Sequence, residues 1–211
     1  GGALVVGFSL RDVLIAQGRV QERGTKPGPP DARQVDTWLA IHADNTATVY
    51  IGFAELGQGA STALLQIAAE ELDLEMSQIK TVRLDTNVTP NQGGTYSSAS
   101  INRGGPQVRT AAAEARQALL KLASAKLNSP VGALTIAKGV VTGAGKSVSY
   151  GELVGYKPFH VAFPGTPPVK ATTEYTIAGT KCPRNDTPAQ ASAQYTSSPY
   201  PRVPGRPDGP R

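Results

Sequence analysis

The sequence predicts an α/β fold, an α+β sandwich in which an antiparallel or mixed sheet carries two helices on one face. Three observations predict it. Short runs that alternate apolar and polar residues recur before residue 54 and again near residue 140. Two longer segments, one opening near Ser61 and one near Pro106, repeat apolar residues at helical spacing. Turn-forming residues separate these runs, and no internal repeat is present.

The elements follow in order. "DTWLAIHA" places Leu39 and Ile41 on one face of a strand, and "ATVYIGF" places Val49, Ile51 and Phe53 on one side with Tyr50 on the other. Asp44 and Asn45 between them favour a hairpin turn. A helix started by Ser61 or by the preceding glycine aligns Leu64, Ala68 and Leu72, joined by Leu65 and Ile67. "IKTVRLD" reads as a strand over 79–85. After a long polar loop, Pro106 suits the first turn of a second helix, where a missing N–H costs little. That helix runs through Leu127 with Val108, Ala112, Ala115, Leu119 and Leu122 on its packing face, and Arg109, Arg116 and Lys121 reaching solvent. The stretch from Ala133 to Gly155 predicts a strand pair turning at Gly139, then one helical turn.

Composition divides the chain. With 39% hydrophobic and 18% charged residues it can bury a core. Proline and glycine crowd 27–30, 158–168 and 199–210, where they oppose regular structure. The compact domain is therefore placed at 35–155, with 1–34 and 156–211 outside it. The net charge of +5 draws on Arg202, Arg206 and Arg211 in a tail with no helical pattern, and no basic stripe with interleaved aromatics marks a nucleic-acid surface. The single cysteine, Cys182, excludes an intrachain disulfide. His42 and His160 have no Cys, His or carboxylate partners at metal-ligand spacing. "GGALVVGF" is too short to span a bilayer as a helix. It reads equally as the apolar part of an export signal or as a loose apolar end.

Two stretches carry candidate chemistry. In "AELGQGAST", Gly57 and Gly59 allow close backbone approach and positive φ, and the first amides of the following helix favour an anion. The Gln58 amide, which donates and accepts together, suits the edge of a heterocycle. A tight strand-to-helix turn with no ligand fits the same residues, since neither dinucleotide-fold spacing nor a P-loop lysine is present. In "NQGGTYSSAS", Gly93, Gly94, Thr95, Ser97, Ser98 and Ser100 offer amides and hydroxyls for phosphates or a pterin edge. Loops of this length are functional or disordered, and an ordinary polar loop fits the same residues. Glu55 and the adjacent Glu70 and Glu71 read as non-catalytic, the last two as a solvated helix face.

The order of these elements resembles the dinucleotide-holding part of the molybdenum hydroxylases, the xanthine dehydrogenase and aldehyde oxidase superfamily. "AELGQGASTALLQIAAEEL" is similar to that family's Glu-x-Gly-Gln-Gly segment, with Leu56 where methionine is frequent, and "TPNQGGTYSSASINRGGPQVR" resembles its serine- and threonine-rich loop. Within that family the chain resembles the large, β-type subunit of isoquinoline 1-oxidoreductases. "GGALVVGF" looks like the end of a twin-arginine export signal without its arginines, and "YTIAGTKCPRNDTPAQASAQYT" resembles the link toward a hammerhead-like domain.

The resemblance implies a molybdopterin-binding-domain-like fold, with 1–34 a remnant of signal and linker, and 156–211 a linker and tail. It implies an N-terminal portion of a molybdenum-dependent oxidoreductase that hydroxylates an N-heterocycle or aldehyde with oxygen from water. The cofactor would be molybdenum on molybdopterin cytosine dinucleotide, held by Gly57, Gln58, Gly59, Gly94, Thr95, Ser97 and Ser98. Gln58 would meet the pterin edge, and Thr95, Ser97 and Ser98 the phosphate side. No catalytic or metal-ligating residue is assigned, because the family's metal-site glutamate has no counterpart here, and the chain alone is expected to be inactive. Expected partners are a small iron–sulfur subunit and a cytochrome electron acceptor, in the periplasm or on the periplasmic side of a membrane, with the cytoplasm as the alternative. Two other readings stay open: a non-catalytic assembly module that has lost cofactor binding, and an anion-binding protein acting through its basic tail.

Overall fold

The computed structural model describes residues 3–5, 38–82, 84–86, 88–155 and 166–192. The chain divides at Thr180 into two units, 1–180 and 181–211. The first holds two sheets and four helices among its described residues. Part of the N-terminal apolar run, β1 (Ala3–Val5), pairs antiparallel with β2 (Leu39–His42). β2 pairs in turn with β3 (Ala47–Val49) through the expected hairpin, with Asn45 at φ 63° in the turn. The chain then crosses over through α1 (Ala60–Leu72) to β4 (Ile79–Thr81), which lies parallel to β3. The sheet is therefore mixed, in the order β1-β2-β3-β4. β4 is shorter than the strand expected over 79–85.

Two further helices follow the long loop, α2 (Ala99–Asn102) and α3 (Gly104–Leu127). Pro106 falls within the first turn of α3, as its missing N–H requires. The second sheet has three strands, β5 (Thr135–Ala137), β6 (Val140–Gly143) and β7 (Lys146–Ser149), rather than the expected pair. The overlooked turn is Ala144-Gly145, where alanine takes φ 48°. Alanine is rarely recruited to a left-handed turn, so composition gave little warning. α4 (Tyr150–Val154) starts from a capping box in which Ser149 and Glu152 satisfy each other's backbone N–H.

One core joins these layers. Leu64, Leu65 and Leu72 of α1 are buried against Leu39, Ile41, Val49 and Phe53 of the hairpin and its continuation, each leucine contributing about 2 kcal/mol of burial. Ala68, Ala69, Ala111, Ala112 and Ala115 bring α1 and α3 close together, since methyl side chains keep helix axes near. Leu120, not Leu122, completes the buried face of α3. Asn45 stitches the hairpin turn to the second sheet: its Nδ2 donates to the Lys138 carbonyl at 3.1 Å, and its Oδ1 accepts from the Gly151 N–H at 3.2 Å.

The residues from 166 to 180 belong to the same unit as the sheets, although their prolines argued for a linker. They form a strap over the end of α1, and the reason lies in Glu70 and Glu71. Both are 1% exposed, which corrects their reading as a solvated face. Glu70 Oε2 accepts the N–H groups of Thr176, Ile177 and Ala178 at 2.9, 2.6 and 2.9 Å. Glu71 accepts from the Lys170 N–H at 3.1 Å and pairs with Arg109 of α3 at 2.8 Å. Asp73 holds Lys170 and Arg116 at 2.6 Å each. Arg109 and Arg116 are thus bound in ion pairs rather than extended into solvent. Gln66 completes the clasp by donating to the carbonyls of Ile177 and Thr180.

In the second unit, α5 (Thr187–Ala191) and an Arg184–Asp186 ion pair are described. The export-signal reading outside Ala3–Val5, His160 and the tail arginines lie outside the described residues.

Candidate functional site

The candidate site begins where β3 stops being a regular strand. Gly52 runs so close to the 89–94 loop that a Cβ there would lie 1.8 Å from the Pro90 carbonyl oxygen, a separation no side chain allows. Buried Gln92 fixes this approach. Its Oε1 accepts the Gly52 N–H at 2.7 Å and its Nε2 donates to Gln107 Oε1 of α3 at 3.0 Å. Two residues on, the Ala54 N–H donates to Thr95 Oγ1 at 2.9 Å. The two polar stretches are thereby held side by side.

Between them lies a cleft of about 490 Å³. Gln58, Gly59, Ala60 and Ala63 form one wall, and Thr95, Ser97, Ser98 and Ser100 the other. Leu56, Tyr96 and Ile101 line it as well, and each of the three is exposed. Five of the seven residues assigned from the sequence therefore meet at one cleft. Gly57 and Gly94 do not line it. Gly94 instead makes room for the Tyr96 ring, which a Cβ would strike at 2.3 Å.

The start of α1 differs from the open anion site expected of it. Gly59 caps the helix at φ 75°, a left-handed conformation natural to glycine, and no side chain caps from that position. Glu55, four residues earlier, does so. Its Oε1 accepts the N–H groups of Gly57 and Gly59 at 3.0 and 2.9 Å, and its Oε2 accepts the N–H and hydroxyl of Ser61 at 3.0 and 2.8 Å. Burial pushes this carboxyl up, but the hydrogen bonds from Ser61, Gly59 and Gly57 outweigh it and hold the group below its ordinary range. Gln58 is exposed and braces the same turn, accepting from the Leu56 N–H at 2.6 Å and donating to the Ala54 carbonyl at 2.9 Å. The sequence signal for this cap was a glutamate four residues ahead of the capping glycine, a spacing outside the usual capping box.

The opposite wall carries strain. Ser97 and Ser98 sit at φ 49° and 57°, where a non-glycine residue costs about 1 kcal/mol each. Strained residues of this kind cluster at ligand clamps. Both side chains are exposed at the cleft. Their hydroxyls, with the carboxamide of Gln58, make a donor and acceptor set that fits a polar heterocycle bearing phosphates. Away from the cleft, His42 Nε2 lies 2.8 Å from Thr48 Oγ1, and burial lowers its pKa, so the ring is a neutral strand contact. No helix among the described residues is long and apolar enough to cross a membrane.

Comparison with known proteins shows the family of the chain. The family model for the molybdopterin cofactor-binding domain matches residues 19–200. A subunit of the nicotinate dehydrogenase of Pseudomonas putida is 37% identical over 165 residues, which are 78% of this chain and 14% of that protein. The beta subunit of the isoquinoline 1-oxidoreductase of Brevundimonas diminuta is 28% identical over 81% of this chain and 27% of its own length. A probable hypoxanthine oxidase of Escherichia coli K12 is 30% identical over 61% of this chain and 14% of its own. The chain thus spans about a seventh to a quarter of the length of these relatives. It belongs to the molybdopterin cofactor-binding domain family.

Proposed function

We propose that the cleft between the Gly57–Gly59 turn and the 95–100 loop receives the molybdenum cofactor of an oxidoreductase, in its cytosine dinucleotide form. One observation carries this reading: two motifs separated by some forty residues of sequence face each other across a single cleft, tied by the Ala54–Thr95 hydrogen bond. Gln58 is the residue for the pterin edge, because a carboxamide matches alternating donors and acceptors. Thr95, Ser97 and Ser98 supply hydroxyls for the phosphate side. Gly57 and Gly59 shape the turn, since their amides are engaged by Glu55. Leu56, Tyr96 and Ile101 give the cleft an apolar rim that excludes water from whatever is bound.

Such a cofactor supplies two-electron oxidation of a substrate carbon, with water as the oxygen source. The relatives named for nicotinate, isoquinoline and hypoxanthine support an N-heterocycle as the substrate class, and a relative named as a membrane-bound aldehyde dehydrogenase supports an aldehyde. Electrons would pass to an iron–sulfur subunit and then to a cytochrome acceptor, and the complex would act in the periplasm or at the periplasmic side of a membrane.

The double variant Ser97→Ala, Ser98→Ala in the assembled holoprotein tests the reading. Molybdenum and cytosine nucleotide released per chain should fall together, several-fold, while thermal melting stays near wild type. Full content of both in the double variant overturns the placement of the cofactor in this cleft.

A further inference from the structure

The α1 wall of the cleft has an unusual electrostatic design. A helix of 13 residues presents its free amides at its N-terminus, and such ends attract phosphate and carboxylate groups. Here that end is occupied by a carboxylate from the same chain. Glu55 accepts from three alternate residues, its Oε1 from Gly57 and Gly59 just before the helix and its Oε2 from Ser61 in the first turn. No acidic residue stands in the first turn of α1 itself, so the charge that satisfies the helix dipole comes from outside it. The cleft residues that follow on this wall, Gln58, Gly59, Ala60 and Ala63, carry no formal charge.

We propose that Glu55 is the positioning residue of the cleft: it closes the α1 N-terminus to external anions and sets the turn on which Gln58 stands, so that negative groups of a ligand are received only by the Thr95–Ser98 wall. This inference rests on the reading of the cleft as a cofactor site. Two physical consequences support it. A second anion brought to the amides of Gly57, Gly59 and Ser61 meets a carboxylate already within 3.0 Å of each of them, and like charges at contact in a half-buried setting repel strongly. The uncharged Gln58 is then the group this wall offers a ligand, and its position is fixed from both sides, by Glu55 through the flanking glycines and by its own bonds to Ala54 and Leu56. The polarity of the cleft thus gives a bound dinucleotide one orientation, with its neutral ring edge toward α1 and its phosphates toward the serine wall.

The experiment uses the 211-residue chain and inorganic phosphate as probe, followed through the backbone amide resonances of Gly57, Gly59 and Ser61. In the wild type these signals should not move up to tens of millimolar phosphate. In Glu55→Ala they should shift saturably, and in Glu55→Gln, which keeps an acceptor oxygen but no charge, they should shift at higher phosphate. Thermal melting of both variants reports folding, and Glu55→Gln remains informative if Glu55→Ala fails to fold. Phosphate shifts of the same size in wild type and Glu55→Gln overturn the closing role. Unmoved signals in folded Glu55→Ala overturn it too, because nothing is then being guarded. Failure of the cofactor reading is seen separately, as unchanged molybdenum and nucleotide content in the serine variants, and leaves the phosphate titration as it is.

Discussion

The two ends of α1 are both finished by carboxylates, and they work in opposite directions. At the first turn Glu55 reaches in from the preceding loop, and its bonds close within seven residues of sequence. At the last turn Glu70, Glu71 and Asp73 reach out from the helix to Lys170 and to the N–H groups of 176–178, about a hundred residues away. The first arrangement leaves its surroundings half-open, as a ligand cleft requires. The second is buried and balanced, three acids against Lys170, Arg109 and Arg116. Local bonds shape a surface, whereas long-range bonds fasten a strap.

Breaking the long-range end should have the largest effect. Glu70→Ala removes the shared acceptor of three N–H groups at a part-buried contact, a loss on the order of 3 kcal/mol. Chemical denaturation should show this, and limited proteolysis should find new cleavage between 166 and 180. A strap that stays protease-resistant in Glu70→Ala would mean that Lys170 and Gln66 hold it unaided.

A smaller loss is expected beneath the cleft, where no charge is involved. Gly52→Ala drives a methyl group into the Pro90 carbonyl, and backbone on both sides must separate at a cost of about 2 kcal/mol. Hydrogen exchange at Gly52 and Ala54 should quicken before exchange at the strap does. The reverse order would show that the two ends are coupled through α1 more tightly than their separate bonds imply.

Acid sharpens the contrast without any substitution. Burial pushes the Glu70 carboxyl up, but the N–H groups of Ala178, Ile177 and Thr176, with Lys170 beside it, hold it below the ordinary carboxylate range. A depressed folded pKa means that this group's stabilisation is complete above the ordinary range near about 4.3 and is lost as the pH falls through the folded value. The protection factors of amides 176–178 should therefore fall below about pH 4 in the wild type. In Glu70→Gln the acid step should be absent, and its persistence would show that Glu70 is not its source.

Much of the fold was legible because it is written in local patterns. The hairpin at Asn45, the start of α1 at the paired glycines and the end of α3 at Leu127 each follow from periodicity and turn chemistry. The parallel placement of β4 and the strap were not legible, since both depend on pairings distant in sequence that no local window contains. Glu70 and Glu71 illustrate the difficulty. Adjacent glutamates on a helix read as solvated, and only the arrival of Lys170, Arg109 and a run of backbone N–H groups makes their burial tolerable. At the cleft, Gln58, Gly59, Thr95, Ser97 and Ser98, five of the seven residues that the resemblance implies, line one cavity, and Gly57 and Gly94 do not. The sequence did not reveal Glu55 as their organiser, since a cap reaching back from outside the helix has no short motif.

The smallest expected effect on stability belongs to Gln58→Ala, and it is the most direct comparison of shape with binding. Both side-chain bonds of Gln58 are exposed and lie within four residues of sequence, so water can replace them when the side chain is removed. Stability should fall by less than about 1 kcal/mol, because Glu55 still holds Gly57, Gly59 and Ser61. If Gln58 serves the cofactor, molybdenum content per chain in the holoprotein should fall by a larger factor than that loss of stability can produce through unfolding. Melting curves and metal content measured on the same preparation separate the two. Unchanged metal content would leave Gln58 as a brace of the turn alone. A stability loss of several kcal/mol would instead make its carboxamide, and not Glu55, the element that holds the N-terminal end of α1 in place.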